Sequence, residues 1–180
     1  MEKSSTISVL ELKKRLAGKR VEFLFDLRNQ EDFNSWQIEG RDDIETLNIP
    51  QEDFVGDEDR FLSRIPKRRR IVTVCAHGDS SSYVAILLQS RGINAVSLQG
   101  GMDAWSEFYE THKVRDDPAI YQIYRVARGC LAYLVISGGI AIVIDAARHV
   151  NRIQDLATSL NVRIANVLDT HLHADHISGV

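Results

Sequence analysis

The chain has 180 residues, 44% of them hydrophobic and 26% charged, with a formal net charge of −3; this is ordinary globular composition, enough for one domain or one and a half. The weak acidic balance argues against nucleic acid as a partner, and the basic run Lys67-Arg68-Arg69-Arg70 reads as a solvated strand entry. No charged-then-apolar leader opens the chain, no apolar run approaches a membrane span, and Cys75 and Cys130 lie in unlike contexts, so a cytoplasmic protein without a structural disulfide or a membrane partner is expected.

From about residue 8 to residue 110, short β-branched runs alternate with amphipathic stretches. Val9, Leu10, Leu12 and Leu16 mark one helical face; residues 21–25 predict a strand ending at Asp26, and residues 32–36 a short helix. Residues 71–74 predict a buried strand, 81–91 a helix closed by Gly92, 95–98 another strand and 102–109 a last helix. Near-continuous apolar strands alternating with helices indicate a parallel α/β sheet. The polar stretch from Glu110 to Pro118 predicts a linker, which gives domain bounds of 1–112, 113–119 and 120–180. Beyond it the rhythm changes. Residues 133–137 and 140–144 flank Gly138-Gly139, a tight-turn pair, and a helix near 151–160 and a strand at 165–168 follow.

Cys75 ends the most apolar strand and opens Cys75-Ala76-His77-Gly78-Asp79-Ser80-Ser81, which leads straight into a helix. A sulfur placed there is ringed by backbone N–H groups that Gly78 leaves accessible, with Ser80 or Ser81 as the helix cap. The positive end of the helix favours thiolate, and the same cradle suits a persulfide or an oxyanion. A packed core cysteine is the bland alternative. His77 reads either as a general acid or as a surface residue.

These residues resemble the rhodanese family of sulfurtransferases over roughly residues 8–110. The matching pieces are Phe25-Asp26-Leu27-Arg28 with Glu31-Asp32-Phe33, then Leu47-Asn48-Ile49-Pro50, the strand–Cys–loop, and Leu98-Gln99-Gly100-Gly101-Met102-Asp103-Ala104-Trp105. The resemblance implies a parallel sheet with helices on both faces and no cofactor. It makes Cys75 the nucleophile that takes a sulfane sulfur and passes it to a thiol, with Ala76, His77, Gly78, Asp79, Ser80 and Ser81 as the active-site loop. Asp26 and Arg28 are expected to be structural. Many members carry an Arg or Lys in this loop; here there is none, and Asp79 adds a negative charge. A dianionic donor would therefore lack about 1.5–3 kcal/mol per missing charged hydrogen bond. A persulfide on a small thiol, such as glutathione persulfide, is the expected donor. Related phosphatases need an Arg after five intervening residues; Ser81 and then Ser82 stand there instead. Phosphatase chemistry is not expected.

The last twelve residues, Asp169-Thr170-His171-Leu172-His173-Ala174-Asp175-His176-Ile177-Ser178-Gly179-Val180, carry a second chemistry. His171 and His173 are two apart beyond an apolar strand, which puts both rings on one side of an extended segment. Asp175 and His176 follow at a turn, completing a set of donors that suits zinc or non-heme iron. The string resembles the H-x-H-x-D-H motif of the metallo-β-lactamase superfamily, and its longer form is nearest the persulfide dioxygenase branch, with glyoxalase II next. Upstream, Gly129-Cys130-Leu131-Ala132-Tyr133-Leu134-Val135, Gly138-Gly139 and Ala141-Ile142-Val143-Ile144-Asp145 resemble that family's opening hairpin and the strand ending in a structural Asp. Cys130 is expected to be packed. The resemblance spans residues 120–180, so an incomplete αββα metallo-β-lactamase fold is expected. In the dioxygenase branch His171 would be one ligand of a mononuclear Fe(II); zinc is the other candidate. An uncovered sheet face would favour a homo-oligomer, and dioxygenase turnover is not expected of these 180 residues alone.

Together the resemblances imply sulfane-sulfur handling, a rhodanese-type sulfurtransferase fused to a persulfide dioxygenase-like region. A glyoxalase II-like thiolester hydrolase with two zinc ions, or a non-catalytic persulfide-sensing or docking module, are the alternatives.

Overall fold

The computed structural model describes residues 6–18, 22–40, 43–173 and 177–180. The chain divides into two compact units, Met1–Trp105 and Ser106–Val180.

In chain order the first unit holds β1 (Thr6–Ile7), α1 (Val9–Ala17), β2 (Phe23–Asp26), α2 (Gln30–Ser35) and β3 (Thr46–Asn48). Then come α3 (Gln51–Gly56), α4 (Glu58–Leu62), β4 (Ile71–Val74), α5 (Asp79–Ser90), β5 (Ala95–Leu98) and α6 (Gly101–Ser106). The strands form one sheet in the order β1-β5-β4-β2-β3, and every pairing is parallel. All residues of β2, β4 and β5 are buried, as a parallel sheet covered on both sides requires. Phe25 meets Phe54 of α3 edge to face at 5.1 Å, and Val84, Ala85 and Leu88 of α5 join the same core. Fully burying side chains of this size contributes about 1.5–3 kcal/mol each.

Helix α1 starts where Ser8 accepts a hydrogen bond from the Glu11 amide, and it buries Val9, Leu12 and Leu16. Leu10, expected on that face, is exposed: its position turns away from residues three, four and seven apart. Because the sheet is parallel, Asp26 at the end of β2, Cys75 after β4 and Gln99 after β5 all lie on one edge. Open α/β sheets bind ligands at that edge.

The second unit holds β6 (Tyr109–Asp116), β7 (Ala119–Arg125), β8 (Cys130–Ser137), β9 (Ile140–Ile144), α7 (Val150–Ser159) and β10 (Arg163–Leu168). They form a mixed sheet in the order β10-β9-β8-β7-β6. The pairings from β6 to β9 are antiparallel; β10 returns across α7 to pair parallel with β9. Ile123, Leu134 and Val143 point into a core closed by Ile153 of α7, while Leu131, Ile140 and Ile142 are exposed on the same strands. This alternation marks a sheet covered on one face.

The stretch 113–119 is not a linker. It lies in the β6–β7 hairpin, where Lys113 is opposite Tyr121 and Asp116 opposite Ala119. An exposed edge strand carries the same charged composition as a tether. The helix expected over 102–109 ends at Ser106, and Tyr109 already begins β6.

Candidate functional site

The Cys75 loop is shaped by two glycines. Gly78 is the residue before α5, with φ at +104°, and an added Cβ would lie 2.9 Å from the Gly100 amide nitrogen. Gly101 has φ at +56°, and an added Cβ would lie 2.6 Å from the Ala76 carbonyl oxygen. Both positions need glycine for their conformation and for close backbone approach. The contact is bonded as well: the Met102 amide donates to the Cys75 carbonyl at 2.9 Å and the Asp103 amide to that of Ala76 at 3.0 Å. The segment after β5 thus clamps the loop after β4.

Within this clamp Cys75 is only 6% exposed. Its Sγ accepts from the Gly78 amide at 3.0 Å and the Ser81 amide at 3.4 Å, and its thiol donates to Ser81 Oγ at 3.3 Å. Neither Ser80 nor Ser81 caps the helix, because α5 begins two residues earlier than expected, at Asp79, and Gly78 takes the cap position with no side chain to offer. Ser81 instead lies inside the first turn, fully buried, with its hydroxyl on the Gly78 carbonyl at 3.0 Å.

Ala76 and Ser80 are half-buried and Asp79 is exposed. His77 is exposed too, and its Nδ1 lies 2.6 Å from Asp103 Oδ2. From Cys75 to Ser81 no Lys or Arg is present. Backbone amides and the helix N-terminus therefore supply the loop's positive potential. Asp26 and Arg28 hold the neighbouring loop: Arg28 Nη2 donates to Asp26 Oδ2 at 2.7 Å and to the Trp36 carbonyl at 2.7 Å.

A parallel sheet with a cysteine cradled by amides at the end of its central strand defines a rhodanese-type domain. The rhodanese-like domain profile matches residues 8–108, and the chain belongs to that family. A second match, to the metallo-beta-lactamase superfamily, covers residues 125–180. The chain is 32% identical over 102 residues to the thiosulfate sulfurtransferase GlpE of Shewanella oneidensis, which covers 56% of this chain and 91% of that protein. It is 31% identical over 87 residues to the protein of the same name from Tolumonas auensis, covering 48% and 74%. Among solved structures, a rhodanese-like domain protein from Staphylococcus aureus is 30% identical with a TM-score of 0.48, covering 56% of this chain and 90% of that one.

In the second unit, parallel pairing of β9 and β10 brings their carboxyl ends side by side. Asp145 follows β9 with φ at +54°. Its carboxylate accepts from the Thr170 amide at 2.7 Å, the Thr170 hydroxyl at 2.8 Å and His173 Nε2 at 3.1 Å. Burial opposes ionisation of Asp145, but the Thr170 and His173 hydrogen bonds outweigh it and hold the carboxyl below the usual range. The His171 and His173 rings lie 4.3 Å apart. One ligand atom each from Asp145, His171 and His173 falls within 4.8 Å of the others, so the three could hold a metal ion. Two imidazole nitrogens and a carboxylate oxygen fit a divalent transition metal.

The expected ligands His171 and His173 are thus brought together, while Asp175 and His176 lie outside the described residues. Asp145, expected to be structural, joins the group. It directly follows β9, which the parallel crossover places beside the strand that leads to the histidines. Ser97 is the lone polar residue of β5; a hydroxyl in a four-residue buried strand is the sequence signal that marks it.

No helix among the described residues is long and apolar enough to cross a membrane.

Proposed function

We propose that the first unit is a sulfurtransferase that carries sulfane sulfur on Cys75, with a persulfide of a small thiol such as glutathione as donor. The reading rests on the three hydrogen-bonding groups that converge on Cys75 Sγ: the amides of Gly78 and Ser81 and the Ser81 hydroxyl. The Cys75 thiolate attacks the outer sulfur of R–S–SH; a bond forms between Cys75 Sγ and that sulfur, the S–S bond of the donor breaks, and RS⁻ leaves. An acceptor thiolate then attacks the outer sulfur of the Cys75 persulfide, and Cys75 departs as thiolate into the same amides. The related thiosulfate sulfurtransferases suggest a dianion as donor, but the loop's want of Lys and Arg favours the less charged persulfide. Incubation with glutathione persulfide should add one sulfur to Cys75 by intact mass and support transfer to cyanide or a thiol. Cys75→Ser should lose both entirely. Faster turnover with thiosulfate than with the persulfide would overturn the donor assignment.

For the second unit we propose metal-dependent chemistry of the persulfide dioxygenase type, supported by the superfamily match and by the Asp145–His171–His173 group. A metal held there would supply Lewis acidity and open coordination positions. The chain's own contribution is orientation: Asp145 holds the His173 ring through Nε2, and Thr170 ties the histidine segment to β9. Iron retained by the purified protein and lost in His171→Ala supports the reading; two zinc ions per chain would favour a thiolester hydrolase instead.

A further inference from the structure

Beneath the Cys75 loop runs a line of hydroxyls that cap no helix. Ser97 is fully buried on β5, and its Oγ stands 2.8 Å from Ser81 Oγ, which in turn stands 3.3 Å from Cys75 Sγ. The Gly78 carbonyl is shared: Ser82 donates to it at 2.8 Å, Ser81 at 3.0 Å and Ser97 at 3.5 Å. The Ser82 amide also donates to it at 3.1 Å, and a carbonyl offers two lone pairs, so three hydroxyls exceed its capacity. Thr73 is equally buried, yet its hydroxyl goes to the carbonyls of Ser81 at 2.8 Å and Val96 at 3.3 Å. It has no place in the line.

The line has two hydrogen arrangements on one set of heavy atoms. With a thiol, the S–H donates to Ser81 Oγ and the Ser81 hydrogen goes to the Gly78 carbonyl. A thiolate has no hydrogen to give and must accept. Ser81 then turns its hydrogen onto the sulfur, Ser82 keeps the Gly78 carbonyl satisfied, and Ser97 donates to the freed lone pair of Ser81. The thiol proton leaves to solvent, and each serine keeps its own hydrogen. A hydroxyl that accepts one hydrogen bond donates a stronger one.

We propose that Ser97 is a positioning residue for sulfur transfer, acting through Ser81 to aim a third donor at the Cys75 sulfur whenever that sulfur is anionic. This rests on the reading of Cys75 as the sulfur carrier. It explains how a loop without Lys or Arg can still hold a thiolate, and why a strand of buried apolar residues carries a serine.

The test is iodoacetamide alkylation of Cys75 in the full chain, followed by mass, for wild type, Ser97→Ala, Ser81→Ala, the double variant and Thr73→Val. At neutral pH Ser97→Ala should alkylate about three- to tenfold more slowly, the effect of losing one hydrogen bond between neutral hydroxyls. The deficit should close near pH 10, where an ordinary thiol is ionised. Because both serines serve one hydrogen, the double variant should be no slower than Ser81→Ala alone. Thr73→Val should alkylate like wild type. Wild-type rates in Ser97→Ala, additive losses in the double variant, or an equal deficit in Thr73→Val would each overturn the relay while leaving Cys75 as the carrier. If wild-type Cys75 alkylates no faster than in the urea-unfolded chain, the carrier reading itself falls.

Discussion

The two units place their candidate chemistry in the same topological position but build it from opposite materials. In the first, the carboxyl ends of β4 and β5 meet, and backbone amides make the site. In the second, the carboxyl ends of β9 and β10 meet, and side chains make it. Parallel pairing explains the shared position, since it sets successive strand ends on one edge. The difference lies in what a substitution can reach. Amides are aimed by backbone conformation, so the first site is vulnerable through its glycines; the second is vulnerable through the carboxylate that orients its histidines.

The sharpest break of this comparison is Gly101→Ala. A side chain there meets the carbonyls of Cys75 and Ala76 and carries an unfavourable positive φ. Strain and overpacking together should cost about 3 kcal/mol, read as a lowered denaturant midpoint together with lost sulfur transfer. Normal transfer in a destabilised protein would mean that the clamp serves folding alone. Next comes Asp145→Asn, which leaves the second sheet intact but weakens the partner of His173. Zinc affinity, measured by competition with a chromophoric chelator, should fall roughly 10–100-fold, with Cys75 alkylation unchanged. Unchanged affinity would remove Asp145 from the metal group.

The smallest effect concerns acid. His149 lies below its ordinary pKa because burial and the Arg125 and Arg148 guanidinium groups disfavour its charged form. Its Nδ1 lies 3.0 Å from the Tyr109 hydroxyl, which burial keeps protonated against the pull of Arg125. The unfolded chain takes up a proton on this histidine before the folded one does. Stability is therefore full above about pH 6.5 and declines as pH falls from there toward the lower folded value. His149→Gln should flatten that slope in urea titrations between about pH 5 and 7. An unchanged slope would assign the acid response to other groups.

Much of the first unit was legible from the chain. Buried parallel strands are apolar throughout, so residues 71–74 and 95–98 declared their boundaries, and a cysteine between such a strand and a glycine-bearing loop declared its chemistry. The second unit was harder, because its edge strand faces water and residues 110–116 carry the polarity of a tether. Ser81 was visible as a loop residue but misread as a cap; the helix begins at Asp79 because Gly78 can adopt a conformation that serine disfavours. The hydrogen-bond partners of Asp145, expected only as a structural residue, and of Ser97 were hidden for one reason. Each acts on a residue far along the chain, Asp145 on His173 and Ser97 on Ser81, and only strand pairing reveals such partners.

The strand order of the second unit has a kinetic consequence. From β6 to β9 each strand pairs with the one just made, so short loops close in turn at little entropic cost. Joining β10 to β9 must wait for α7 to form and fold back across the sheet. Asp145 meets His171 and His173 through that joining, and an ion captured there would latch it.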